Sequence, residues 1–111
     1  MDISCLIIAS SAGGFVAEAT GKPIVITRHA WRRLRERGAS EDAVLLAVRI
    51  GVREPAQRGM LLHRLDVPFG GTWHGRRYDT MQLAVVVAHE PDLLVVVTVY
   101  TFFFTYPELP P

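Results

Sequence analysis

The spacing of apolar residues changes character part-way along the chain, near Pro55. Upstream, after an apolar start, the apolar positions recur at helical intervals. Downstream they alternate or run together as strands do. Ile3 to Ser10, ISCLIIAS, is rich in β-branched and apolar residues and predicts a strand. Residues 11 to 21 are small and loop-like, and Pro23 opens a short extended piece, PIVIT. Thr27 then stands where a helix N-cap is expected, and Gly38 where a helix should stop, because glycine takes the left-handed conformation most readily. Ser40 predicts the next N-cap, with Glu41 and Asp42 at the positive end of the helix dipole and another stop at Gly51. Two short helices across a Gly-Ala-Ser joint make a helical hairpin.

Beyond Pro55, residues 59 to 65 (GMLLHRL) predict a strand and DVPFGG a turn. Residues 72 to 80 (TWHGRRYDT) predict an edge strand or loop, and MQLAVVVAH (81 to 89) a buried strand. A Glu90-Pro91-Asp92 turn leads into a last strand, LLVVVTVYTFFFT (93 to 105), completing a hairpin. The expected class is α+β: a two-helix hairpin packed on a curved antiparallel β-sheet. The expected organisation is an N-terminal strand and loop extension (1–22), one domain (23–106) and a Pro-rich tail (107–111).

Composition changes this picture in two ways. The chain has 111 residues, half of them hydrophobic, and its mean hydropathy is +0.23, so a core is easily built and apolar surface remains for an oligomer or another chain. Its one cysteine, Cys5, cannot form an internal disulfide, which fits a reducing, cytoplasmic compartment. The start imitates a signal peptide faintly, but its first charge is Asp2 and no Lys or Arg precedes the apolar run. LLVVVTVYTFFFTY is too short to span a bilayer as a helix, so no membrane association is expected.

Charge is where the chemistry concentrates. The formal net charge is only +1. Yet between residues 28 and 37 five arginines (28, 32, 33, 35, 37) face one glutamate, Glu36, a local balance of +4. At about 100° per residue, Ala30, Trp31 and Leu34 share the arc expected to face the sheet. His29, Arg33 and Glu36 lie on the adjoining arc, Arg32 lies beside them, and Arg37 sits at the apolar rim. In the first turn the helix dipole favours a neutral imidazole, the form that can accept a proton, and arginines hold phosphate oxygens bidentately. The alternatives are a histidine that merely packs on the sheet and a solvated charged face, the latter favoured for Arg32 and Arg35 over Arg33 and Arg37.

A second stretch, residues 73 to 79, mixes Trp73, His74, Arg76, Arg77 and Tyr78, a combination suited to stacking bases and holding phosphates of single-stranded RNA. The alternative is an edge strand kept polar against aggregation. On the last strand Thr98 and Tyr100 share a face and Thr101 takes the other, where a satisfied core hydroxyl is expected. His63, His74 and His89 form no metal signature, and His89 reads as exposed. No cofactor is expected.

The order Thr27-Arg28-His29-Ala30, Arg37-Gly38, Ser40-Glu41, Gly75-Arg76-Arg77-Tyr78 and Val97-Thr98-Val99-Tyr100 resembles a small bacterial domain-of-unknown-function family. That family is similar to the RelE and BrnT toxins and the wider barnase–colicin–RelE group of metal-independent ribonucleases. The resemblance covers roughly residues 23 to 101. It implies RNA cleavage as the ancestral activity and a neutralising antitoxin or immunity protein as partner. The expected catalytic residues are His29, Arg33, Arg37 and Tyr100. Arg76, Arg77, Tyr78, Trp73 and Thr98 are expected to bind RNA. The sequence departs from the RelE pattern in having a single lysine, Lys22, and an extra VPFGGTW cluster. Two alternatives stay open: a non-catalytic protein-interaction module of the same fold, and a helix-turn-helix DNA binder. The second helix, EDAVLLAVRI, argues against the latter, since a groove-reading helix needs a polar exposed face.

Overall fold

In the computed structural model the described residues are 22–105, together with the backbone of a three-residue strand, β1 (Leu6–Ile8). The rest of the predicted 3–10 strand, the 11–21 loop and the Pro-rich tail fall outside them. Strand β2 (Ile24–Thr27) leads directly into helix α1 (Arg28–Glu36). Thr27 caps that helix: its hydroxyl accepts from the Ala30 amide at 3.0 Å. The same hydroxyl donates to the Val97 carbonyl at 3.4 Å, so one side chain starts the helix and ties it to the sheet.

Helix α1 ends as the sequence predicts. Gly38 has φ +79°, the Ala39 amide donates to Leu34 O at 2.8 Å, and the Gly38 amide donates to Arg35 O at 3.3 Å. This is the paired Schellman arrangement, which satisfies carbonyls that the helix end would otherwise orphan. Ser40 then caps α2 (Glu41–Ile50) by accepting from the Ala43 amide at 3.1 Å. Gly51 ends α2 for a different reason. Its φ is −67°, and a Cβ there would lie 2.5 Å from Ala47 O, so glycine is needed for close backbone approach.

Strands β3 (Val52–Pro55), β4 (Leu61–Trp73), β5 (Arg76–His89) and β6 (Leu94–Phe104) complete a six-stranded sheet of order β1-β2-β6-β5-β4-β3. The expectation of an antiparallel sheet is corrected at one pairing: β2 and β6 run parallel, with Ile24 opposite Leu94 and Ile26 opposite Val96. The cause is topological. β2 is cut off from the meander by the helical hairpin, and β6 returns beside it in the same direction. All other pairs are antiparallel.

A second correction concerns DVPFGG. It is no turn. β4 runs through it, and the register against β5 slips between Pro68 and Gly71 as a β-bulge. Proline is tolerated at a bulge because the ladder there needs no donor. The hairpin instead reverses at His74 and Gly75, with φ of +52° and +80°. Two consecutive positive φ values match the turn type whose twist suits a two-residue hairpin. TWHGRRYDT is therefore the tip of a long central hairpin.

Both helices cover one face of the sheet. Ala30, Leu34, Val44, Ala47 and Val48 pack against Ile24, Ile26, Leu83, Val85, Val87, Leu94, Val96 and Val99, all buried. The opposite face is open over much of its area. There Tyr100, Phe102 and Val52 are 43%, 50% and 69% exposed. No helix among the described residues is long and apolar enough to cross a membrane.

Candidate functional site

The chemistry-bearing residues gather where α1 runs along β6. The paired part of β2 ends opposite Val96, and among the described residues the following stretch of β6 has no strand neighbour on that side. Helix α1 takes over that edge. The Arg37 guanidinium donates to Val99 O at 2.6 Å, and the Thr101 hydroxyl donates to Arg37 O at 2.8 Å. Thr101 is thus hydrogen-bonded as expected, though half-buried and not in the core.

At the other end of the helix, His29 is exposed in the first turn, and its Nε2 lies 3.4 Å from Thr98 Oγ1. The Arg37 guanidinium stands 5.0 Å from the centre of the Tyr100 ring, a cation over an aromatic face. Behind Thr98 and Tyr100, on the face away from the helices, lies a groove of about 330 Å³. Met60, Leu62, Val86 and Val97 give it an apolar floor. The structure therefore brings the predicted residues together in two pairs along β6: His29 with Thr98, and Arg37 with Tyr100.

Arg33 is close in sequence but differently engaged. Its guanidinium pairs with Glu36 at 2.5 Å, three residues on, and both side chains are partly open to water. This alters the expected division of labour on α1. Arg33 and Arg37, read as the cations beside the histidine, spend hydrogen bonds inside the molecule. Arg28, Arg32 and Arg35 make no hydrogen bond or ion pair with their side chains among the described residues.

The second predicted group is not part of this cluster. Trp73 packs against Gly38, at the far end of α1 from His29, a helix length of about 14 Å away. Its ring stacks on Phe103 at 4.9 Å and on His74 at 4.3 Å, while Phe69 meets Phe103 edge-on at 4.9 Å. Tyr78 is tilted against Phe103 at 5.8 Å. The tryptophan expected to stack a base thus anchors the hairpin tip to the helix. Arg76 and Arg77 are exposed at that tip, and Arg77 donates to Gly70 O at 3.3 Å.

No family profile, curated protein or solved structure matches the chain.

One arrangement went unread in the sequence. His89, expected to be exposed, is half-buried and its Nε2 lies 3.0 Å from Nε2 of the fully buried His63. The tautomers follow from the partners. His63 Nδ1 lies 3.0 Å from Val48 O, and a carbonyl only accepts, so Nδ1 carries the proton and donates. His63 Nε2 is then the acceptor, and His89 Nε2–H donates to it. Burial, reinforced by the charge of Arg53, pushes the His63 pKa down to about 4. Burial, with Arg53 and Lys22, also lowers that of His89. No group of three or more His, Cys, Asp or Glu side chains with metal-binding geometry occurs among the described residues.

On the open face, Arg64 donates to Glu54 at 2.9 Å and to Gln82 at 2.8 Å, and Gln82 donates to Asp66 at 2.7 Å. The Arg64 hydrogen bond holds the Glu54 carboxyl below its ordinary pKa. This chain of partners ties β3, β4 and β5 together and leaves no reactive group unpaired within it.

Proposed function

We propose that this chain is an RNA endonuclease of toxin type with a RelE-like arrangement, cleaving without a metal by attack of the 2′-hydroxyl. The observation that carries the reading is an exposed imidazole 3.4 Å from the hydroxyl of Thr98, on the same strand as Tyr100, whose ring faces the Arg37 guanidinium; Thr98 and Tyr100 line an open groove. His29 takes the proton from the 2′-hydroxyl, and the 2′-oxygen forms its bond to phosphorus. The bond from phosphorus to the 5′-oxygen breaks, and that oxygen leaves with a proton supplied by Tyr100. The products are a 2′,3′-cyclic phosphate and a 5′-hydroxyl end. Arg37, through the N–H groups not used on Val99, and Arg33 oppose the charge growing on the phosphoryl oxygens. The groove behind Thr98 and Tyr100 accommodates a nucleotide, and Arg76 and Arg77 hold phosphates further along. An activity of this kind requires a neutralising protein partner in the cytoplasm.

The test is cleavage of single-stranded RNA with a chelator present, by the wild type and by His29→Ala. The variant is expected to lose at least a hundredfold in rate, the usual scale of one acid–base group. Equal rates would remove His29 from the reaction. A non-catalytic binding module of the same fold is the second reading, favoured by the exposed Tyr100, Phe102 and Val52 on the face away from the helices. Intact RNA at high wild-type concentration would decide for it.

A further inference from the structure

Around α1, the arc beyond His29 carries a second constellation. Arg28, Trp31, Arg32, Arg35 and Glu36 line a groove of about 340 Å³ on the helix surface. Arg28, Arg32 and Arg35 are exposed, while Trp31 is half-buried, packed against the core on one side and bordering the groove on the other. Glu36, the single carboxylate in the lining, is paired with Arg33. The groove therefore holds an aromatic ring among three guanidiniums that no described partner occupies.

We propose that this face of α1 is the track for the single-stranded RNA flanking the scissile bond, with Trp31 stacking a base and Arg28, Arg32 and Arg35 holding phosphates. The inference rests on the endonuclease reading and extends its substrate contacts to residues which that reading leaves unused. Continuity supports it. At about 100° per residue, Arg32 and Arg28 lie between His29 and Trp31 around the helix, so a strand leaving the histidine crosses the arginines before reaching the ring. Arg28 and Arg32 stand one turn apart, about 6 Å, close to the step between phosphates of an extended strand. An aromatic face flanked by cations suits bases and phosphates together, and it tolerates any sequence because every base has a π-face.

The experiment measures binding of a fluorescent 2′-O-methyl RNA strand, which lacks the attacking hydroxyl, at several salt concentrations. The wild type is compared with His29→Ala, with the triple variant Arg28→Gln/Arg32→Gln/Arg35→Gln, and with Trp31→Leu and Trp31→Phe. Losing three phosphate contacts should reduce the slope of log affinity against log salt by about 2 and weaken binding at least tenfold at about 0.1 M salt. Trp31→Leu should weaken binding about tenfold with the slope unchanged, and Trp31→Phe should restore most of it, because a phenyl ring still stacks on a base. On unmodified RNA, His29→Ala should lose cleavage, which keeps the role of the histidine separate from that of the groove. An unchanged slope and affinity in the triple variant would overturn the proposal. So would a glutamate-rich peptide of equal charge displacing the strand equally from wild type and Trp31→Leu, because the groove would then serve acidic chains in general. If RNA is never cleaved but the triple variant still loses slope, the endonuclease reading fails and the track stands.

Discussion

His63 shows how one buried side chain sets a pH limit on the fold. Its Nδ1–H is committed to Val48 O and its Nε2 accepts from His89. Adding a proton to Nε2 would set two N–H groups against each other in the core. The folded-state pKa, about 4, lies below the ordinary 6.5. As pH falls through 6.5 the unfolded chain takes up a proton that the folded chain refuses, so stability declines until about pH 4 and then levels off. A shift of this size costs up to about 3 kcal/mol across the window. Urea unfolding at pH 7 and pH 4.5 should show the loss. His63→Gln, which can still donate and accept but does not titrate, should flatten it; an unaltered pH slope in that variant would clear His63 of the effect. Gly38 carries a different constraint. A Cβ there would combine φ +79° with a 2.7 Å approach to the Trp73 ring. Gly38→Ala should lower stability by about 2 kcal/mol or more. Combined with Trp73→Leu, the two losses should fall short of additive, because the clash disappears with the ring.

At the scale of elements, the helices were legible because their signals are local. Thr27, Ser40 and Gly38 act within a few residues of themselves, and each does what its position implies. Elements whose partners lie far along the chain were not. The parallel pairing of β2 with β6 joins residues about 70 positions apart, and nothing in PIVIT announces it. DVPFGG has the composition of a turn because a bulge in a strand draws on the same residues as a reversal. The two histidines sit on one face of the β4–β5 hairpin, but that parity becomes readable only once the strands are paired in register. The candidate site divides the same way. Helical period put His29 and Arg37 on neighbouring arcs of α1, and strand alternation put Thr98 and Tyr100 on one face of β6; which of them would meet was not readable. Nor was the separation of Trp73 from His29, since the hairpin tip reaches the opposite end of α1. Because Thr27 both caps α1 and bonds Val97, Thr27→Ala should cost about 1 kcal/mol in thermal unfolding and loosen His29 from Thr98. Thr27→Ser, which keeps the hydroxyl, should stay within a few tenths of the wild type; an equal loss in both would show that the methyl group, not the cap, matters.

Over the whole molecule, a net charge of +1 conceals a division between a charged helix and an apolar sheet. On the sheet flank of α1, the Arg37 guanidinium turns inward to Val99 O, and Arg33 pairs with Glu36 at the surface. The guanidiniums on the outer arc remain open. That arrangement places the cations best able to meet a polyanion beside the one exposed imidazole of the helix. It leaves Tyr100 and Phe102 for contact on the other face. The reaction assigned to this edge makes a chemical commitment that binding alone does not. Mass analysis of the ends produced from a short RNA strand, in chelator, tests it most directly. The account predicts 2′,3′-cyclic phosphate and 5′-hydroxyl ends from the wild type, and no cut at a position whose 2′-hydroxyl is replaced by hydrogen. Cleavage that persists at that 2′-deoxy position, or ends carrying a 5′-phosphate, would contradict it.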